Sequence, residues 1–69
     1  MGSEELRRIT IDPEVMGGKP CIRGLRMTVE TVVGLLASRH RREDILKAYP
    51  YLEEEDISEA LVYAARQVK

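Results

Sequence analysis

The chain has 69 residues, of which 43% are hydrophobic and 33% charged, and its formal net charge is −1. This length predicts a single domain, residues 1–69, near the lower limit at which a chain buries enough apolar surface to fold alone. One cysteine excludes an internal disulfide, and one histidine with one cysteine is too few for a usual zinc site, so we expect no metal and no cofactor. Association with another chain is the remaining way to stabilise so small a fold, so we expect a homodimer or a hetero-complex.

The sequence also predicts the cell compartment of the protein and shows an uneven distribution of charge. No apolar run approaches membrane-spanning length, the first residues lack a signal-peptide core, and the lone thiol suits a reducing compartment, so we expect a cytoplasmic protein. Residues 1–48 hold nine Lys or Arg against seven Asp or Glu, whereas residues 49–69 hold two against five. One end of the sequence is therefore mildly basic and the other is acidic.

Residues 6–27 are predicted to form a small β element. A first strand is expected over Leu6–Ile11, where β-branched residues occur together, and a short second strand over Cys21–Ile22. Gly17-Gly18 and Arg23-Gly24 flank the second strand and predict two chain reversals, because glycine adopts positive φ without a steric penalty. This stretch is the junction between the β element and the helices.

Residues 28–68 are predicted to form three helices of about ten, seven and fifteen residues. Thr28 is the expected N-cap of the first, which runs to about Ser38 and has an apolar stripe at Val29, Val32, Val33 and Leu36. The second is expected over 42–48 and ends before Pro50, which disfavours helix at the preceding residue.

The third helix is expected to begin near Glu53, where an acidic first turn suits the helix dipole. The apolar residues predicted to face the core recur at helical spacing: Ile57, Ala60, Leu61, Ala64 and Val68. A tight turn before this helix gives the last two helices a helix-turn-helix shape. The predicted fold class is thus mainly α, with a small N-terminal β element followed by a three-helix helix-turn-helix unit.

Four segments together resemble the small bacterial and archaeal family catalogued as domain of unknown function 433. They are Ile9–Pro13, Gly18–Val29, Tyr49–Leu52 and Asp56–Ala64, and they match the family's Ile-x-x-(Asp)-Pro, Gly-x-Pro-x-Ile-x-Gly-Thr-Arg-x-x-Val, Tyr-Pro-x-Leu and Asp-Ile-x-x-Ala-Leu-x-Tyr-Ala patterns. One departure is Leu25, which stands where the family usually has threonine. The resemblance implies a homeodomain-like fold and an antitoxin-like role in a two-protein module beside a small, PIN-like nuclease.

Basic residues of the junction and of the connector after the first helix are the candidates for contact with nucleic-acid phosphates. They are Lys19, Arg23, Arg26, Arg39, Arg41 and Arg42. The alternative is that the glycines only form turns, and that the cations are solvated or stabilise the C-terminal end of the first helix through the helix dipole. The acidic start of the third helix argues against the usual major-groove contact by that helix.

The turn before the third helix and its first residues are the candidate protein-binding surface, which would face a basic partner. They are Tyr51, Glu53, Glu54, Glu55 and Asp56. Tyrosine is favoured at interfaces, although helix capping explains the carboxylates without any ligand.

No arrangement of residues predicts catalysis. Cys21 and His40 are the one available nucleophile and base, no third residue is evident to orient them, and Cys21 is interpreted as a small buried hydrophobe. The leading hypothesis is a non-enzymatic antitoxin-like protein that binds a cognate nuclease-like protein, with DNA as a further ligand left open. The alternatives are a stand-alone helix-turn-helix transcriptional regulator and a structural oligomerisation module.

Overall fold

The computed structural model describes residues 6–67, which form two short strands and three α-helices. The strands are β1 (Ile9–Thr10) and β2 (Cys21–Ile22), separated by a 3-10 turn at Met16–Gly18. The helices are α1 (Val29–Ala37), α2 (Arg42–Ala48) and α3 (Glu54–Arg66). The predicted fold class, mainly helical with a small N-terminal β element, is confirmed.

The first strand is shorter than the predicted Leu6–Ile11. The chain turns before it, where the Ile9 amide donates to the Leu6 carbonyl over 3.1 Å. What remains pairs antiparallel with β2, with Ile9 opposite Ile22. The prediction of a longer strand was wrong because the residues before Ile9 turn instead of extending the ladder.

Both predicted chain reversals are present. Gly17 and Gly18 have φ of 68° and 86°, and Arg23 and Gly24 have φ of 45° and 71°. The second reversal is closed by the Leu25 amide, which donates to the Ile22 carbonyl over 2.7 Å. It returns the chain along β2 toward the start of α1.

The starts and ends of the helices follow local signals. Thr28 is the N-cap of α1, since its Oγ1 accepts from the Thr31 amide over 3.0 Å. The bounds of α2 are those predicted. Tyr49 is its C-cap, and Pro50 is the next residue of the chain. Among residues 6–67, no helix is long and apolar enough to cross a bilayer.

The core lies where β2, α1, α2 and one face of α3 meet. Its buried apolar residues are Cys21, Ile22, Met27, Val29, Val32, Ile45, Leu52, Ile57 and Ala60. The predicted face of α3 was wrong at Leu61, which is 38% exposed, while Tyr63 packs against the core in its place. The predicted stripe member Val68 lies outside the described residues.

Candidate functional site

A buried carboxylate organises the N-terminal end of α3. Asp56 has no exposed surface, and Arg23 holds it at two points, Nε to Oδ1 at 3.0 Å and Nη2 to Oδ2 at 2.8 Å. Arg8 Nη1 donates to Oδ1 over 3.0 Å, and the Glu53 amide donates to Oδ2 over 2.8 Å. Both carboxylate oxygens are therefore fully used inside the molecule. We call Arg8, Arg23, Glu53 and Asp56 the Asp56 cluster.

The burial of Asp56 corrects one expectation. The sequence predicted an exposed, partner-facing carboxylate at this position, but the side chain points into the fold. A helix N3 carboxylate that reaches back to the N-cap amide is a common way to satisfy an unpaired donor. Here the same carboxylate also binds two arginines that are far away in sequence, so it joins three segments of the chain.

The pKa values of the cluster follow from these contacts. Burial acts to raise the pKa of Asp56, but the hydrogen bonds from Arg23, the Glu53 amide and Arg8 outweigh burial and hold this pKa below its ordinary value of 3.8. Hydrogen bonds to Glu53 and Asp56 raise the pKa of Arg8, and the bond to Asp56 raises the pKa of Arg23. Asp56, Arg8 and Arg23 are therefore ionised at neutral pH.

The turn after β2 aims Arg23 at α3. Arg23 has a left-handed φ of 45°, which is unusual for a residue with a side chain. Besides binding Asp56, its Nη2 donates to the Tyr51 carbonyl over 2.7 Å. The guanidinium therefore fixes the backbone of the α2–α3 turn as well as the start of α3.

Arg8 connects the β element to the same place. Its Nη1 lies 2.7 Å from Glu53 Oε1 and its Nη2 lies 3.5 Å from Glu55 Oε1. Its backbone amide donates to Glu59 Oε1 over 2.9 Å, one turn further along α3. Sequence reasoning missed both Arg8 and Glu59, because these contacts span about fifty residues of sequence and no local spacing indicates them.

Four of the six cations predicted to contact nucleic acid lie within ion-pair distance of carboxylates of this chain. Besides Arg23, Lys19 lies 3.8 Å from Glu30. Arg41 lies 3.3 Å from Glu43. Arg42 lies 3.0 Å from Glu54.

Arg42 bridges the starts of α2 and α3. Its Nε donates to Glu54 Oε1 over 3.0 Å, and its Nη2 donates to Ser58 Oγ over 2.7 Å.

Arg26 and Arg39 differ from the other four predicted cations, since neither side chain makes an ion pair or hydrogen bond within residues 6–67. These two are the cations most available to a phosphate.

The predicted protein-binding residues other than Asp56 lie together on the outside. Tyr51 is 50% exposed, and its ring stands edge-on to that of Tyr49 with centroids 6.1 Å apart. The side chains of Glu53, Glu54 and Glu55 are 60%, 60% and 73% exposed. We call Tyr51, Glu53, Glu54 and Glu55 the Tyr51 surface.

The carboxylates of the Tyr51 surface keep room for a ligand. Each is touched by one arginine, Glu53 and Glu55 by Arg8 and Glu54 by Arg42. An ionised carboxylate accepts about four hydrogen bonds, so each of the three retains free acceptor sites. These free acceptor sites can receive hydrogen bonds from cationic donors.

The structure also locates the other candidate groups. Cys21 is buried, and its Sγ donates to the Lys19 carbonyl over 3.3 Å, which agrees with its interpretation as a small core residue. Within residues 6–67, no group of three or more His, Cys, Asp or Glu is placed to hold a metal ion.

Comparison with known proteins agrees with the resemblance found in the sequence. The family model described as "Protein of unknown function (DUF433)" matches residues 9–64. The crystal structure of a DUF433 member protein from Anabaena variabilis ATCC 29413 is similar, with a TM-score of 0.83 and 35% sequence identity. The similarity covers 87% of this chain and 59% of that one.

A curated relative is described as an uncharacterised protein. The protein y4eO of Sinorhizobium fredii (strain NBRC 101917 / NGR234) is 39% identical over 56 residues, which are 81% of this chain. The chain spans about a quarter of the length of that relative.

Proposed function

The chain belongs to the DUF433 family, and we propose that it is a non-enzymatic, antitoxin-like binding protein. Its ligand in this proposal is a small, nuclease-like protein, the other member of a toxin–antitoxin pair, and its contact site is the Tyr51 surface. The observation that carries the proposal is the half-exposed Tyr51 ring, held beside three exposed carboxylates by contacts that fix its backbone.

Rigidity is what makes this surface suitable for binding. The Tyr51 carbonyl is bound by Arg23, and the next residue, Leu52, is buried in the core. The Tyr49 ring supports one edge of the Tyr51 ring. Because these contacts already hold the ring and backbone, binding costs this chain little conformational entropy at this position. Tyrosine held in this way is a frequent anchor of protein interfaces.

Charge indicates the kind of partner. Glu53 is the N-cap of α3, and Glu54 and Glu55 lie in its first turn. Arg8 and Arg42 neutralise only part of the charge of these three carboxylates. A nuclease needs a basic surface to hold the phosphate backbone of its nucleic-acid substrate. An acidic surface of this chain would occupy that basic surface and keep nucleic acid out.

The experiment is an affinity purification of the full chain from its native cells, with and without nuclease treatment. We expect a stoichiometric small protein that survives the nuclease and is lost with Tyr51→Ala and with the double variant Glu54→Gln/Glu55→Gln. Glu14→Gln is the matched control, because Glu14 is an exposed carboxylate outside the Tyr51 surface. Equal recovery of the protein by all variants would overturn the proposal.

A second function is favoured by Arg26 and Arg39, whose side chains are uncommitted within the described chain. In this alternative the protein is a helix-turn-helix, homeodomain-like regulator that binds DNA through its basic residues. DNA affinity should then fall steeply with salt, and Arg26→Ala or Arg39→Ala should flatten that dependence. These two variants are better probes than Arg23→Ala, which also breaks the Asp56 cluster. Unchanged affinity in both would remove this alternative.

A further inference from the structure

A groove between α1 and α3 is left open by the fold. Its volume is about 370 Å³, and it lies beside the first half of α1 and the C-terminal part of α3. Its lining is mostly apolar: Pro20, Val29, Val33, Gly34, Tyr63 and Ala64. We propose that a second copy of this chain docks here, so that the groove is the contact of a two-fold homodimer.

Gly34 is the first observation that supports docking of another chain. It lies inside α1, where glycine destabilises a helix relative to alanine. A Cβ atom added at Gly34 would meet no atom within 4 Å, so no contact in the described chain requires the side chain to be absent. Its absence does allow another backbone to approach α1 closely, as small residues do where helices cross.

The charges at the rim identify the occupant as a second copy. Lys19 and Glu30 both line the groove, 62% and 78% exposed, with Nζ and Oε1 3.8 Å apart. An exposed pair at this distance is weak, so both charges remain available. In the proposed dimer Lys19 faces Glu30 of the partner subunit, and the two-fold axis then generates the reverse contact as well. A strongly acidic or strongly basic ligand would instead meet one like charge.

The groove is distinct from the Tyr51 surface. Tyr63 and Ala64 lie about nine residues beyond Glu54 and Glu55 on α3, which is roughly 14 Å along the helix axis. A dimer formed through the groove therefore leaves the Tyr51 surface open. The inference is independent of the proposed function, and either can fail alone.

Sedimentation equilibrium of the full chain over about 1 to 200 µM tests the proposal, since this range brackets dimers of micromolar affinity. We expect a mass that rises to twice the 7.9 kDa of one chain. Gly34→Lys should weaken the dimer by about tenfold or more, because it places a long charged side chain in the groove. Lysine is a better helix former than glycine, so the variant should keep its fold by circular dichroism. The matched control is Ala48→Lys on α2, outside the groove lining, which should dimerise as the wild type does.

Charge reversal separates the contact between copies from the ion pair within one copy. Lys19→Glu and Glu30→Lys should each weaken self-association, whereas an equimolar mixture of the two variants should form a heterodimer of near wild-type affinity. Within each variant chain the two rim charges are alike, so only a contact between chains can restore binding. A wild type that stays monomeric over this concentration range overturns the proposal. So does a Gly34→Lys dimer of unchanged affinity, or a mixture no tighter than its separate components.

Discussion

Arg23 and Asp56 form a two-point ion pair that fixes the turn after β2 against the first turn of α3. The two bonds, Nε to Oδ1 and Nη2 to Oδ2, measure 3.0 and 2.8 Å. Asp56 is fully buried, while the side chain of Arg23 is 34% exposed. Since Arg23 also binds the Tyr51 carbonyl, this pair sets the position of the proposed binding surface.

Removal of the buried carboxylate should strongly destabilise the fold. Asp56→Ala leaves two arginines and the Glu53 amide without their acceptor, and we expect the free energy of unfolding to fall by about 2–4 kcal/mol. Asp44→Ala is the matched control, because Asp44 holds the same position in α2 but is exposed and accepts only a 3.4 Å bond. Its cost should stay below about 1 kcal/mol. Urea denaturation measures both, and equal costs would refute the role given to the Asp56 cluster.

The pH dependence of stability should carry the signature of Asp56. Its pKa is lower in the folded protein than the ordinary 3.8, so the unfolded chain takes up its proton first as the pH falls. The stabilisation by Asp56 is therefore complete above the ordinary pKa and is lost as the pH falls through the lowered folded pKa. Urea denaturation of the wild type and of Asp56→Asn at a series of pH values measures this effect. The difference in unfolding free energy should shrink below about pH 4, and a difference that grows there would contradict the ion pair.

The geometry of Arg23 should matter as much as its charge. Lysine cannot bind both oxygens of Asp56 and the Tyr51 carbonyl together, so Arg23→Lys should lower the melting temperature. Arg26→Lys makes the same change three residues away, at a side chain without a partner in the described chain, and should leave the melting temperature unchanged. Thermal unfolding by circular dichroism compares the two. An Arg23→Lys variant with an unchanged melting temperature would show that a positive charge alone is sufficient at this position.

Local signals in the sequence predicted many of the helix and strand boundaries. Thr28 indicated the start of α1, Pro50 the end of α2, and two glycine-containing reversals the limits of β2. Each of these depends on backbone preferences of a few neighbouring residues, which is why the bounds of α2 and β2 could be predicted to the residue.

The Asp56 cluster could not be predicted in the same way. Asp56 appeared as one of four acidic residues at a helix start, a pattern that capping alone explains. Its burial depends on Arg8 and Arg23, which are 48 and 33 residues away in sequence. Nothing in the local pattern distinguishes Asp56 from Glu53 or Glu55, because only tertiary packing decides which carboxylate faces inward.

The orientation of α3 gives a direct test of the corrected core. Ile57 is fully buried and Leu61 is 38% exposed, although helical spacing places both on one face. Ile57→Ala should cost about 2–5 kcal/mol of unfolding free energy, and Leu61→Ala less than about 1 kcal/mol. Urea denaturation of the two variants distinguishes the orientations. A Leu61→Ala cost as large as that of Ile57→Ala would restore the face predicted from the sequence.

The most direct test of the proposed function is photo-crosslinking in the native cells, with a benzophenone amino acid in place of Tyr51. The control carries the same group in place of Glu14, which is equally on the surface but outside the Tyr51 surface. We expect a nuclease-resistant adduct with one small protein from position 51 and none from position 14. An adduct with nucleic acid, the same products from both positions, or no protein adduct from position 51 would contradict the binding surface assigned here.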